Sequence, residues 1–186
     1  MTRNIQKTWI AILLLLVGCT ARSGGAVSPK NPEVASFQKR LDQYLKLQQE
    51  QASKLPDLKD KTNAVNISSN QKALALAIQS ARAGAKPGDI FSPDITPTFL
   101  RLIREMDKTA RRMILDGNPT EEGIKVTLKV NQAYPGVAPL SSVPPGLLQR
   151  LPELPKTLEY RFVGRHLVLR DAEADLIVDF IVGTVR

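Results

Sequence analysis

The chain has one thiol, one imidazole and a crowd of carboxylates near its end, so any chemistry has to come from these. The imidazole is His166, the only histidine in 186 residues. A Ser-His-Asp relay would need Asp179 on one side of it and a serine on the other, and the pattern places no serine there. A histidine facing an acid across two strands is the ordinary ion pair of a sheet face, so His166 is read as structural. With one Cys and one His, a zinc or copper site would fall to carboxylates, which suit neither metal; no metal and no other cofactor is expected. Asp171, Glu173, Asp175 and Asp179 cluster in sequence, and glycoside cleavage needs two acids facing one cleft. Two of the four are spent by the register described below. The run from Asp171 to Asp175 lacks the central Gly and distal Glu of an EF-hand loop and reads as a solvated turn.

Cations offer a second constellation. Arg101, Arg104, Lys108, Arg111 and Arg112 fall within roughly a 100° arc of a helix expected over Thr98–Leu115, opposite its apolar stripe. Such a face suits phosphate-bearing lipid, polyanionic glycan or an acidic envelope protein. The same residues also make an ordinary solvated helix face, with Glu105 among them to temper it. Nucleic acid is not expected, because no aromatic side chains are interleaved with the cations to stack bases. No Gly-rich nucleotide fingerprint is present either.

The thiol is Cys19. Met1–Lys7 is polar and carries Arg3 and Lys7, and Trp9–Val17 is an unbroken apolar run. As a helix, that run would reach only about half of a bilayer core, which fits the h-region of an export signal and not a span. The junction Leu16-Val17-Gly18-Cys19 resembles the lipobox of bacterial lipoproteins. The resemblance implies diacylglyceryl transfer to the Cys19 thiol, cleavage before that residue and acylation of the new amine. At ~0.8 kcal/mol per buried CH₂, two or three acyl chains hold a protein on a membrane for longer than most cellular events. Thr20 follows, where an Asp would favour the inner membrane of a Gram-negative cell, so the outer membrane is the expected address there. An ordinary secretory signal cut after Ala21 or Ala26 is the competing reading of the same leader.

Cutting before Cys19 would remove Arg3 and Lys7 and lower the formal charge from +8 to +6, a balance that tolerates anionic neighbours without selecting one. One cysteine allows no intramolecular disulfide, so the domain must hold by packing alone. Residues 1–18 read as signal peptide, 19–32 as a flexible Gly- and Pro-broken tether, and 33–186 as one domain, helical over 33–116 and sheet-rich over 121–186.

Within that domain, Val34, Phe37, Leu41, Tyr44, Leu45, Ala52 and Leu55 trace one stripe of a helix over Pro32–Leu55, interrupted at Gln48. Pro56–Ile67 reads as loop. Ser68-Ser69-Asn70-Gln71 resembles a capping box that opens a short helix ending at Gly84. Ala85–Pro97 is a Pro-punctuated connector, and Thr98–Leu115 is a single helix stopped by Gly117-Asn118-Pro119. Ile124, Val126, Leu128 and Val130 alternate with polar residues as a strand should. Pro135–Pro155 holds six of the 13 prolines and cannot be a central strand; it reads as surface wrapping, with a turn of helix at Gly146–Arg150.

Leu158–Val163 and His166–Arg170 flank Gly164-Arg165, a pair suited to a type II′ hairpin. That turn pairs Phe162 with Leu167, Tyr160 with Leu169, Glu159 with Arg170 and Val163 with His166. A third strand would then set Asp175 beside Arg170, Ile177 beside Val168 and Asp179 beside His166. The expected fold class is α+β, with N-terminal helices packed on a small C-terminal antiparallel sheet of three to four strands. Residues Ser142–Pro145, Leu147-Leu148, Leu158–Leu167 and Leu176–Phe180 resemble a family of uncharacterised exported bacterial proteins, a likeness that carries no activity. The function read from the sequence is a membrane-anchored envelope lipoprotein, facing periplasm or surface, that binds a partner or supports assembly without catalysis. A hydrolase or transferase of envelope polymers, using a carboxylate pair, is the alternative.

Overall fold

The computed structural model describes residues 31–56, 63–116, 127–136 and 143–185. The leader, Cys19, the tether up to residue 30, and Ile124 and Val126 of the expected strand lie outside the described residues. Those described form five helices and one antiparallel sheet of three strands in the order β1-β2-β3, an α+β fold with the long helices N-terminal to the sheet.

Helix α1 (Pro32–Ala52) starts where Asn31 leaves the helical region (φ −71°, ψ 130°) and Pro32 enters it. Its buried face is Val34, Phe37, Leu41, Tyr44 and Gln48. The apparent gap in the stripe at Gln48 is thus a core position, filled by an amide that has found a buried acceptor. Helix α2 (Ala64–Ala81) begins seven residues before the expected start. Asn63 is its N-cap, accepting from Val65 N–H at 2.9 Å, and Ser68–Gln71 lies inside the helix.

The helix expected over Thr98–Leu115 is two. Helix α3 (Thr96–Arg104) ends, and α4 (Lys108–Asp116) restarts after Asp107, whose carboxylate accepts from Ala110 N–H at 2.7 Å. That local side-chain cap competes with the continuing helix, which is why short acids favour helix starts over interiors. A short α5 (Pro145–Leu148) delivers Leu147 to the core, and Val143 and Leu151 beside it are also buried. The proline-rich stretch therefore packs, and does not merely wrap.

Strands β1 (Leu158–Val163) and β2 (His166–Asp171) pair in the register that the hairpin demanded, Phe162 opposite Leu167 and Glu159 opposite Arg170. Gly164 takes φ 56° at the first turn position, which L side chains resist. Strand β3 (Leu176–Ile181) departs from expectation. Arg170 pairs with Ile177 and Leu169 with Asp179, so a β-bulge intrudes at Val178. Ile177 does not lie beside Val168, which faces Phe180, and Asp179 does not lie beside His166. An extra residue turns two successive side chains toward one face. Val178 and Asp179 are both buried. The expected strand over Ile124–Val130 also differs: residues 127–130 form no strand, and the chain meets β3 just after them, where Ala133 bridges Leu176, Asn131 N–H donates to the Ile177 carbonyl and Ile177 N–H donates to the Gln132 carbonyl.

The bulge has a consequence for the connector. Asp179 is 0 % exposed, and its carboxylate accepts from the N–H groups of Gly88 (3.0 Å), Ile90 (2.8 Å), Phe91 (2.8 Å) and its own neighbour Phe180 (2.8 Å). Gly88 makes this geometry with φ 91°. The connector so held places Ile90, Phe91 and Ile95 in the core. Phe91 there packs edge-on to Phe99 of α3 at 5.0 Å, and Phe99 in turn meets Phe37 of α1 at 5.4 Å and Tyr160 of β1 at 5.7 Å. A second buried carboxylate, Asp171, accepts from Tyr44 Oη (2.6 Å), Gln48 Nε2 (2.7 Å) and the N–H groups of Glu173 and Ala174 (2.9 Å each). It ties α1 to the end of β2.

Arg82, just past α2, joins the two anchors. Its guanidinium lies 4.9 Å over the Tyr44 ring and donates to the carbonyl of Val178, the bulge residue, at 3.4 Å. Buried donors left without acceptors are expensive, about 1–3 kcal/mol each. Asp179→Ala is therefore expected to lower unfolding free energy by at least ~3 kcal/mol in urea. Asp179→Asn, which keeps the oxygen for two of the four donors, should fall between it and wild type. A loss under about 1 kcal/mol for both variants would contradict the clamp.

Candidate functional site

Concave regions of the surface are walled by described residues. One of them, a groove of about 510 Å³, runs between β1 and the segment 143–154. Glu153 and Glu159 both line it, together with Arg161 and Tyr160. Glu159 is not a free acid. Burial works against its charge, but ion pairs with Arg161 and Arg170 prevail and hold the carboxyl below its usual range. Arg170 is itself shared with Asp175 at 2.7 Å and stacks over the Tyr134 ring at 4.9 Å. These groups close a charge network on the second face of the sheet, around the apolar cluster of Tyr134, Val163, Val168 and Ile177. The pairing of Arg170 with Glu159 is the one that the strand alternation called for; Asp175 is not the strand partner of Arg170, which lies opposite Ile177, and reaches the guanidinium from the turn before β3.

The other acids singled out from sequence are structural or solvated. Asp171 and Asp179 are clamps inside the core, and Glu173 is exposed in the turn. Burial raises the Asp179 carboxyl above its ordinary value, against the pull of its four N–H donors. A buried, fully bonded carboxylate has no lone pair left for a substrate proton, so neither Asp171 nor Asp179 is positioned as acid or base. Among the described residues no group of three or more His, Cys, Asp or Glu converges on a metal-sized site.

His166 meets no acid across the sheet. The bulge moved Asp179 to the other face, and His166 Nδ1 instead accepts from Gly183 N–H at 3.0 Å. That bond needs an unprotonated Nδ1, and partial burial pushes the imidazole below 6.5.

The break between α3 and α4 divides the basic patch. Arg101 and Arg104 stay on α3, and Lys108, Arg111 and Arg112 are on α4. Arg101 is spent on Glu105 at 3.4 Å, and Glu105 also takes Arg150. Arg111 folds back so that Nη2 donates to the Arg104 carbonyl at 3.1 Å, which brings these two arginines to one small cleft of about 210 Å³. Lys108 and Arg112 are exposed and do not line it. The continuous arc of five cations thus becomes one pair plus three separate groups. The signal for this was present in the sequence: Asp107 three residues before Ala110 is a helix-start pattern inside the expected helix. No protein-family model, curated protein or solved structure matches the chain.

The histidine gives this site a pH dependence whose sign follows from its lowered folded value. Folded His166 binds its proton less readily than unfolded His166. Its contribution to stability is complete above 6.5 and is lost as pH falls through the lower folded value. Thermal unfolding followed from about pH 8 to about pH 5 should show Tm dropping on the acid side in wild type. The drop should be shallower in His166→Asn. Parallel curves for the two proteins would remove His166 from the account.

Proposed function

We propose that the chain is a bacterial envelope lipoprotein, anchored through acyl chains on Cys19, whose α+β domain is a non-catalytic binding or assembly module facing periplasm or surface. The address is supported by the leader: two cations, an apolar run too short to span, and Leu16-Val17-Gly18-Cys19 in register. No helix among the described residues is long and apolar enough to cross a membrane.

One observation carries the non-catalytic part. Glu159, the half-buried acid of the groove beside β1, is locked ionised between two arginines, and the two buried acids of the sheet are saturated with hydrogen bonds. A hydrolase working through a carboxylate pair would need one group held protonated and aimed into a cleft. Glu159, the partner that Glu153 would require, is held in the opposite state. The partners that fit the remaining surface are anionic lipid, anionic glycan or an acidic envelope protein, met by the cations of α3 and α4.

Metabolic labelling of cells that express the full chain, with a palmitate analogue, tests the address. Label on the wild-type protein, its absence from Cys19→Ser and a mature N-terminus at residue 19 are the expected results. An unlabelled wild type, or an N-terminus beyond residue 19, would overturn it.

A further inference from the structure

We infer that the cleft between Arg104 and Arg111 is a binding site for a single phosphate ester, of the size of a phosphoglycerol headgroup. This deepens the binding-module reading by naming a site and a ligand chemistry. It stands on the cleft alone, whether or not Cys19 carries lipid.

The first ground is the state of the arginines. Arg101 and Arg150 are spent on Glu105, and Arg161 and Arg170 on Glu159 and Asp175. Arg104 and Arg111 line one cleft, form no ion pair among the described residues, and share that cleft with no acid. Two guanidinium groups on one small concavity repel each other, and an anion between them removes that repulsion while gaining charge-assisted hydrogen bonds.

The second ground is that both side chains are already held. Arg104 Nε donates to the Leu100 carbonyl at 3.2 Å, and Arg111 Nη2 donates to the Arg104 carbonyl at 3.1 Å. Each bond occupies one donor and fixes the plane of the fork, leaving the remaining N–H groups for a ligand. Rotamer freedom lost on binding is small where the free protein has already lost it. Guanidinium forks match tetrahedral oxyanions in two-point contacts that a lysine cannot reproduce.

The third ground is the shape. The cleft of about 210 Å³ has Leu100 and Ile103 on the helix side and Val182 and Val185 on the turn that follows β3. That volume admits a phosphate with a three-carbon stub. Gly183 and Thr184 complete the lining, so polar and apolar groups share the walls. At the rim Val182 is 64 % exposed, an apolar residue placed where the carbon end of a phosphate ester would lie.

Titration calorimetry of the full chain with inorganic phosphate, glycerol 1-phosphate and dihexanoyl phosphatidylglycerol tests the site. Saturable binding of the esters is expected, weakened at least about tenfold by Arg104→Gln with Arg111→Gln. Lys108→Gln with Arg112→Gln removes the same charge outside the cleft and should change affinity by less than about threefold. Arg104→Lys with Arg111→Lys keeps the charge and gives a loss between the two; it decides the matter should the glutamine pair fail to fold by circular dichroism. Tighter binding of the short-chain lipid than of glycerol 1-phosphate assigns the phosphate to a membrane headgroup, and equal binding assigns it to a free ester. Either sustains the site. No saturable binding of any probe, or equal weakening by the two glutamine pairs, overturns it. A failure of the lipid-anchor reading would show in the Cys19 labelling and leave these titrations unchanged.

Discussion

A carboxylate forced under a sheet by one extra residue holds this domain together. Without the bulge at Val178, strand alternation would leave Asp179 on the face of His166, where it could pair at the surface and bind nothing else. With it, the carboxylate points inward and must be satisfied there, since an ionised group in a core without donors is among the costliest things a protein can bury. The connector supplies three N–H groups, and in doing so it is fixed along residues 88–91. Phe91 and Ile95 are thereby committed to the core, which sets where α3 starts and how Phe99 reaches Phe37 and Tyr160. Arg82 bonds the bulge carbonyl from the far side, and its contact with Tyr44 extends the same network to Asp171 and α1.

What could be read from the chain beforehand divides along a physical line. The β1–β2 register was fully legible, because a two-residue Gly turn leaves only one way to zip two alternating strands, and the charges agree with it. The buried face of α1 was legible from spacing through Tyr44. Gln48 was not, since its burial depends on Asp171, 123 positions away in sequence. The β2–β3 register failed for a related reason. Whether Val178 is bulged depends on donors in the connector and on Arg82, so no local pattern in Leu176–Ile181 announces it. The split of α3 from α4 is a different case, a short-range cap at Asp107 masked by an apolar stripe that continues past it.

Candidate sites followed the same division. The acids near the C-terminus drew attention by their density, and the fold consumes them in clamps and ion pairs. The cations of the third helical pattern were identified as a class, but which of them converge was decided by the helix break and by Arg111 turning back on Arg104. On the sheet the chemistry-bearing residues are plentiful but engaged, whereas at the helical edge Arg104 and Arg111 line one cleft and form no ion pair among the described residues. A module of this kind, carried on an envelope membrane by the anchor proposed for Cys19, would present that cleft to phosphate-bearing components within reach of its tether.

Hydrogen exchange of the individual amides, followed by NMR on the folded protein, addresses the clamp most directly. Gly88, Ile90 and Phe91 lie in a connector without regular structure, where amides ordinarily exchange fast. If the Asp179 carboxylate anchors them, the amides of Ile90 and Phe91 should exchange as slowly as those of the β2 residues Val168 and Leu169. Exchange of Ile90 and Phe91 at the rate of open loop amides, with β2 still protected, would show that the connector is not held and that the buried carboxylate is not what organises the fold.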